Sequence, residues 1–284
     1  MASNMKAVKL RMKSIDSTRQ ITKAMEMVAT SKLRKAKDRA ETITPGFNII
    51  RHTLREIAEG NLDFSSVYTT NSNNDKTCYV VIAGDRGMAG GYNNNLFKYV
   101  EKKADGSSFS VLPIGRKAYE YFLKKGYDIV SDRFSESAEI SISECFEISR
   151  EICKGYREGK YGHFQLFYTE FQNMMNMVTR RIPLLPLEDF DKGKKSKSEI
   201  KNIIEYSPDA ETVFTIIVPE YITYVIYSGV CESLASEYAA RRNAMESATK
   251  NADEMLENLN LYYNRVRQAG ITQEITEIIS GANA

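Results

Sequence analysis

Few histidines, few cysteines and almost no net charge narrow the chemistry open to this 284-residue chain. Its two histidines, His52 and His163, stand far apart, and no His or Cys cluster has metal-ligand spacing. Four widely separated cysteines (Cys78, Cys145, Cys153, Cys231) form no CxxC pair, so they read as reduced, buried thiols rather than a disulfide framework. No serine lies in a GxSxG turn. The N-terminal MASNMKAVKLRMKS lacks the apolar core of a signal peptide. The most apolar run, Phe214 to Val230, is interrupted by Pro219 and Glu220 and is too short and polar to suit a bilayer span. These absences predict a cytosolic protein. Net charge is +2, so the chain as a whole has no strong field, yet residues 1–40 hold eleven Lys or Arg against three Asp or Glu.

A further absence marks the longest element. No proline or glycine occurs between Val230 and Ala269, and from Met245 the apolar positions run Met245, Ala248, Ala252, Met255, Leu259, Tyr262, Val266, Ala269. Alternating steps of three and four keep one narrow seam on one face, the pattern of a coiled coil. A helix of some sixty residues from about Glu220 to Gly281 would be about 90 Å long at 1.5 Å per residue. Such a rod needs a partner helix. Residues from about Ala7 to Ala58 supply a second candidate, with apolar positions Val8, Met12, Ile15, Ile21, Met25 and Val28, then Leu33, Ala36, Ala40, Ile43, Phe47, Ile50, Leu54 and Ile57. Pro45 and Gly46 inside this pattern predict a kink. The simplest way to cover both seams is an intramolecular antiparallel coiled coil of the two ends; a homodimer through the helices is the alternative.

Between the ends the texture changes. Residues 60–76 read as a polar, Asn- and Ser-rich linker. Strands are predicted at Thr77–Ala83, Phe109–Ile114, Tyr127–Ser131, His163–Phe171 and Met175–Pro183. Helices are predicted at Asn95–Ala104, Arg116–Lys125 and Ile142–Tyr156. That alternation predicts a mostly parallel, Rossmann-like α/β sheet with helices on its faces. A charged loop at 188–198 and an edge strand at Ile200–Tyr206 follow, and Ser207 is placed as the cap of the C-terminal helix with Pro208 at its first position. The predicted domains are an N-terminal helix (1–58), a linker (59–76), a central α/β domain (77–206) and a C-terminal helix (207–284).

The loop Gly84-Asp85-Arg86-Gly87-Met88-Ala89-Gly90-Gly91-Tyr92-Asn93 lies between a strand and a helix, where phosphate-binding loops occur. It lacks both the GxGxxG spacing and the GKS or GKT ending, so tight turning and close packing explain its glycines better. The basic N-terminal helix (Lys6, Lys9, Arg11, Lys13, Arg19, Lys23 and Lys32 to Arg39) would suit duplex phosphates or an acidic protein surface, or is simply solvated. Residues 1–40 contain no aromatic side chain, which argues against single-strand binding. Two alternatives stay open on these features: a coiled-coil nucleic-acid-binding protein, and a nucleotide-binding enzyme using Gly84–Asn93.

Three blocks carry a resemblance. One is Ile21-Thr22-Lys23-Ala24-Met25-Glu26-Met27-Val28-Ala29. The second is Gly84-Asp85-Arg86-Gly87 with Gly90-Gly91 and Asn93. The third runs through Ala235-Ser236-Glu237, Arg241, Ala244-Met245, Asn251-Ala252, Asn264, Arg267-Gln268, Ile271-Thr272, Glu274-Ile275, Glu277-Ile278 and Gly281-Ala282. Together, in this order, the chain resembles the gamma subunits of F-type ATP synthases, in their bacterial form. Met88-Ala89, Tyr92 and Gly270 depart from the usual pattern. The resemblance implies a non-catalytic rotary shaft with no cofactor. It implies partners in the alpha and beta subunits of the hexameric ring, the epsilon subunit and the c-subunit ring. It places the protein peripherally at the cytoplasmic face of the cell membrane. It also implies contact or coupling roles for Lys23, Met25, Arg241, Arg267, Gln268, Thr272 and Glu274.

Overall fold

A computed structural model describes residues 2–60, 66–70, 74–132, 136–187 and 206–282. In chain order the elements are α1 (Ala2–Gly60), β1 (Thr77–Ile82), α2 (Tyr92–Ala104), β2 (Phe109–Ile114), α3 (Arg116–Lys124), β3 (Asp128–Ile129), α4 (Ile142–Arg157), β4 (His163–Phe171), β5 (Met177–Leu185) and α5 (Ala210–Ala282). The chain divides into two compact units, one of residues 32–240 and one of 1–31 with 241–284.

The larger unit is built on one five-stranded sheet of order β3-β2-β1-β4-β5. The first four strands are parallel and β5 runs antiparallel to β4. Period-two alternation explains its two buried faces. On β1, Tyr79, Val81 and Ala83 face α2 and α3, packing with Leu96, Phe97, Val100, Ala118 and Phe122. Cys78, Val80 and Ile82 point the other way, into a core shared with α4 and with stretches of α1 and α5. The apolar run of α5 is spent there. Phe214, Val218, Ile222, Val225, Ile226 and Val230 recur at helical spacing and are all buried. Burial inside the unit, rather than lipid, accounts for their hydrophobicity.

Local signals set the helix ends. Ser141 and Glu144 form a reciprocal capping box at the start of α4. At α5 the cap is Asp209, whose carboxylate accepts from Thr212 N at 2.8 Å and from Thr212 Oγ1 at 2.8 Å. Ser207, the predicted cap, lies two residues too early. The assigned helix α1 runs through Pro45 without ending. Gly46 has a packing role: a Cβ there would come within 2.9 Å of the Tyr224 ring. Half-buried Phe47 stacks on Tyr221 at 5.9 Å, so α1 and α5 meet closely at this point.

Part of the segment read as a linker is packed. Tyr68 is fully buried, stacks on Tyr156 at 6.2 Å and accepts Leu187 N on its carbonyl. A composition reading dominated by Asn and Ser overlooked one large aromatic. Residues 61–65 and 71–73 of that segment, the charged loop 188–198 and positions 200–205 of the predicted edge strand lie outside the described residues.

In the smaller unit, α1 and α5 pair antiparallel. Arg19 Nη1 meets Asp253 Oδ1 at 3.3 Å, and the Thr22 and Thr249 hydroxyls lie 2.8 Å apart. The covered positions of α1 there include Val8, Met12, Ile15, Arg19, Thr22, Glu26 and Ala29, an unbroken alternation of four and three, with Met5, Asp16 and Met25 also part-covered. This corrects the apolar pattern: Ile21 and Val28, placed in the seam, are 60% and 55% exposed. The helical phase continues through polar residues where an apolar count had slipped by one. The same shift occurs on α5. Its covered positions are Met245, Ala248, Thr249, Ala252, Leu256, Leu259, Tyr263, Val266 and Gly270, while Met255, Tyr262 and Ala269 face out.

Candidate functional site

The glycine loop is the first candidate, and its geometry is that of a structural seat. Gly84 N donates to Asn93 Oδ1 at 3.0 Å. The Asp85 carboxylate accepts from Arg116 N (3.1 Å), the first residue of α3, and from Ser137 N (2.9 Å), Ser137 Oγ (3.2 Å) and Ala138 N (3.0 Å). The Asp85 carboxylate thus takes the N-terminus of α3 and ties the loop to residues 137 and 138. Above Gly84 lies buried Glu237 of α5: a Cβ on Gly84 would come within 2.7 Å of the Glu237 carboxyl carbon. Tyr92 Oη donates to Ser233 O at 3.1 Å. From β4, Thr169 N donates to Ser233 Oγ at 3.2 Å, and Ser236 Oγ donates to Thr169 O at 3.0 Å. The strand order reverses between β1 and β4, the place where doubly wound sheets hold ligands at their carboxyl ends. Here α5 fills it.

Two other features carry little chemistry. A groove of about 910 Å³ is lined by Asn74–Thr77, Ser108–Ser110, Gly126–Asp128, Lys160 and Tyr161, at the opposite, amino ends of the parallel strands. Among the described residues no group of three His, Cys, Asp or Glu side chains is placed to hold a metal. His52 pairs with Glu56 on α1 at 3.2 Å. All four cysteines are buried as free thiols. Burial raises each of them, Cys145 to about 12 and Cys153 and Cys231 to about 11, which keeps them protonated and unreactive.

All seven residues singled out from the sequence fall in the smaller unit. Lys23 is exposed and bridges both oxygens of Glu26 at 3.1 and 3.2 Å. Met25 is half-buried beside the seam, and Arg241 is half-buried near the start of the α5 portion. Arg267, Gln268, Thr272 and Glu274 are exposed, and Thr272 Oγ1 donates back to Gln268 O at 3.0 Å. The pairing does not gather these residues at one point. Arg267 lies eighteen residues beyond Thr249, the partner of Thr22, or about 27 Å along the helix. They mark successive levels of one helical pair.

Sequence reasoning missed the polar rung that joins the pair. Arg19 is held charged by its hydrogen bond to Asp253 and then by Asp16, which it meets at 2.8 Å. Thr22 is buried, and both threonine hydroxyls also bond back to their own helices, Thr22 to Arg19 O and Thr249 to Met245 O. The available signal was spacing: positions 19, 22 and 26 continue the alternation of three and four once residue type is ignored. Outside the seam the pair shows apolar residues to solvent, including Leu10, Ile21, Met27 and Val28 on α1 and Ile271, Ile275, Ile278 and Ile279 on α5. Exposed apolar side chains in such number are the mark of an interaction surface.

Comparison with known proteins gives a consistent answer. The ATP synthase family model matches residues 4–284. The "ATP synthase gamma chain" of Ruminococcus albus is 43% identical over 287 residues, covering 99% of this chain and 98% of that protein. The "ATP synthase gamma chain, sodium ion specific" of Acetobacterium woodii is 36% identical over 300 residues, covering 100% and 99%. Among solved structures, a chain of the Euglena gracilis mitochondrial ATP synthase (OSCP, F1 and c-ring) shares the fold. Its TM-score is 0.70 at 20% identity, with 100% of this chain and 95% of that one covered.

Proposed function

Because this chain belongs to the ATP synthase gamma-chain family, the central stalk of the rotary enzyme, we propose that its paired helices transmit rotation without catalysing a reaction themselves. End-to-end similarity to bacterial gamma chains is the observation that carries this reading. The paired helices of the smaller unit, with apolar side chains facing out, support it. The α and β subunits of a hexameric ring surround the pair, and the epsilon subunit and the c-subunit ring hold the α/β unit. The chain then sits peripherally, at the cytoplasmic face of the cell membrane, through these partners.

The mechanism follows from asymmetry. Two unlike helices present different side chains at every angle, so three chemically identical sites around them cannot be contacted alike. Each orientation favours one conformation at each site, and differential contact free energy shifts the populations. Turning the pair changes nucleotide affinity at the sites in sequence. Because coupling is reciprocal, hydrolysis at the sites drives the pair the other way. A rung of Arg19–Asp253 and Thr22–Thr249 would resist sliding of one helix past the other while the outer faces stay free.

In this reading Lys23 and Met25 contact a catalytic beta subunit at one level and Arg267 and Gln268 do so at another. Arg241, Thr272 and Glu274 couple the two ends. Co-purification of the tagged chain with ATPase alpha and beta subunits is the direct test. A chain that captures neither subunit, but binds ATP saturably or DNA with steep salt dependence, would overturn the proposal. Arg267→Ala with Gln268→Ala in the reconstituted complex tests the site assignment; unchanged hydrolysis and pumping would refute it.

A further inference from the structure

Helix α5 packs directly on the sheet at Gly229, where a Cβ would come within 3.2 Å of Ile82 and Leu166 and 3.6 Å of Tyr168. One turn later Ser233 and Ser236 bond to the Thr169 backbone. Glu232 lies between these contacts, on the stretch of helix held against the sheet edge. Tyr168 and Glu170 of β4 and Arg180 of β5 stand near enough to act on it electrostatically. Tyr168 and Arg180 are directly paired across the two strands. Arg180 is already committed: its Nε and Nη2 reach the same Glu170 oxygen at 3.0 and 2.9 Å. Among the described residues, Glu232 Oε2 is buried with no hydrogen-bond partner. On its own helix the neighbouring titratable groups are Cys231 and Tyr227, both raised by burial, so both neutral at physiological pH. Arg39 of α1 acts on those two and opposes their rise.

A buried carboxylate oxygen without a donor costs free energy that the neutral acid largely avoids. A like charge nearby adds to that cost, and the single adjacent cation is shared. We propose that Glu232 is a proton-operated latch: protonated, it lets α5 lie closed on the β4–β5 edge, and on losing its proton it loosens the helix there. The ionised side chain has two outlets, to solvent on its exposed side or to Arg180 in competition with Glu170. Either one disturbs the contact between helix and sheet. Burial first and Glu170 second raise the carboxyl to about 7, against the pull of Arg180, so the change falls near neutrality.

The test is amide hydrogen exchange of the full-length chain, read as protection factors so that intrinsic pH dependence is removed. Between pH 6 and pH 8, amides of residues 228–236 are expected to lose about tenfold in protection, the effect of roughly one pH unit of unopposed ionisation. Glu232→Gln should show equal protection at both pH values, and Glu170→Gln should move the loss to lower pH, since it removes a repelling charge and frees Arg180 to stabilise the ionised acid. To keep that arm unambiguous, the midpoint itself is measured by carbon-13 titration of the Glu232 carboxyl. A midpoint near 7 in the parent, moving down in Glu170→Gln, supports the latch. A midpoint below 5, or a protection loss that persists unchanged in Glu232→Gln, overturns it. The parent titration stands even if a variant fails to fold.

Discussion

Replacing Gly84 by Ala tests the claim that the glycine loop seats α5. Gly84 has an ordinary backbone conformation, so the change brings no dihedral strain. The cost is contact: the new methyl would lie 2.7 Å from the Glu237 carboxyl carbon and 2.9 and 3.0 Å from its oxygens. Glu237 is 4% exposed and has little room to withdraw. Overpacking of this kind costs about 1–3 kcal/mol. Glu237→Ala alone loses the contacts of a buried polar side chain, at about 1–3 kcal/mol. In the double variant the methyl enters space that the carboxylate has left. The two effects should then fall short of additive by about 1 kcal/mol or more. Urea unfolding of the chain is the assay, followed by near-ultraviolet circular dichroism of its 17 tyrosines, since it has no tryptophan. Additivity within about 0.5 kcal/mol would refute direct packing of the helix on this loop.

Thr22→Val or Thr249→Val alone should destabilise the helical pair by about 1 kcal/mol, because each leaves one hydroxyl without its cross-helix partner. The double change should cost less than the sum, since both polar groups then go; amide exchange around residues 19–26 and 246–253 reads the difference. Met25→Lys adds a cation beside exposed Lys23 and should lower coupling between hydrolysis and pumping while assembly persists; a normally pumping complex would contradict this. Glu232 predicts a pH dependence of stability. Its folded value of about 7 lies above its ordinary 4.5, so its contribution is full below pH 4.5 and is lost as pH rises through 7. Discounted for partial solvent exposure, the loss is about 1–2 kcal/mol, and urea midpoints at pH 5 to 8 should flatten in Glu232→Gln.

The strands were legible because short apolar runs bounded by glycine are local signals. Phe109–Ile114 and His163–Phe171 match the structure end for end. Two long helices were legible for the same reason, from a sustained three-and-four rhythm without breakers. Tertiary structure alone decided which phase of that rhythm is covered. Ile21 and Met255 are apolar and sit one step from the true seam, and a count of apolar residues cannot tell a partner-facing side chain from a seam residue. Thr22 and Arg19 are covered where a hydroxyl and a carboxylate of α5 meet them, and that pairing spans more than 220 residues for Thr22 and Thr249. The same holds for the glycine loop. Its sequence left a phosphate site and a packing seat both possible. Only the arrival of Glu237 and Ser233 from α5, some 150 residues away, shows the space over Gly84 and the Tyr92 hydroxyl to be taken. Local periodicity writes elements into a sequence, whereas the choice of neighbours belongs to the folded chain.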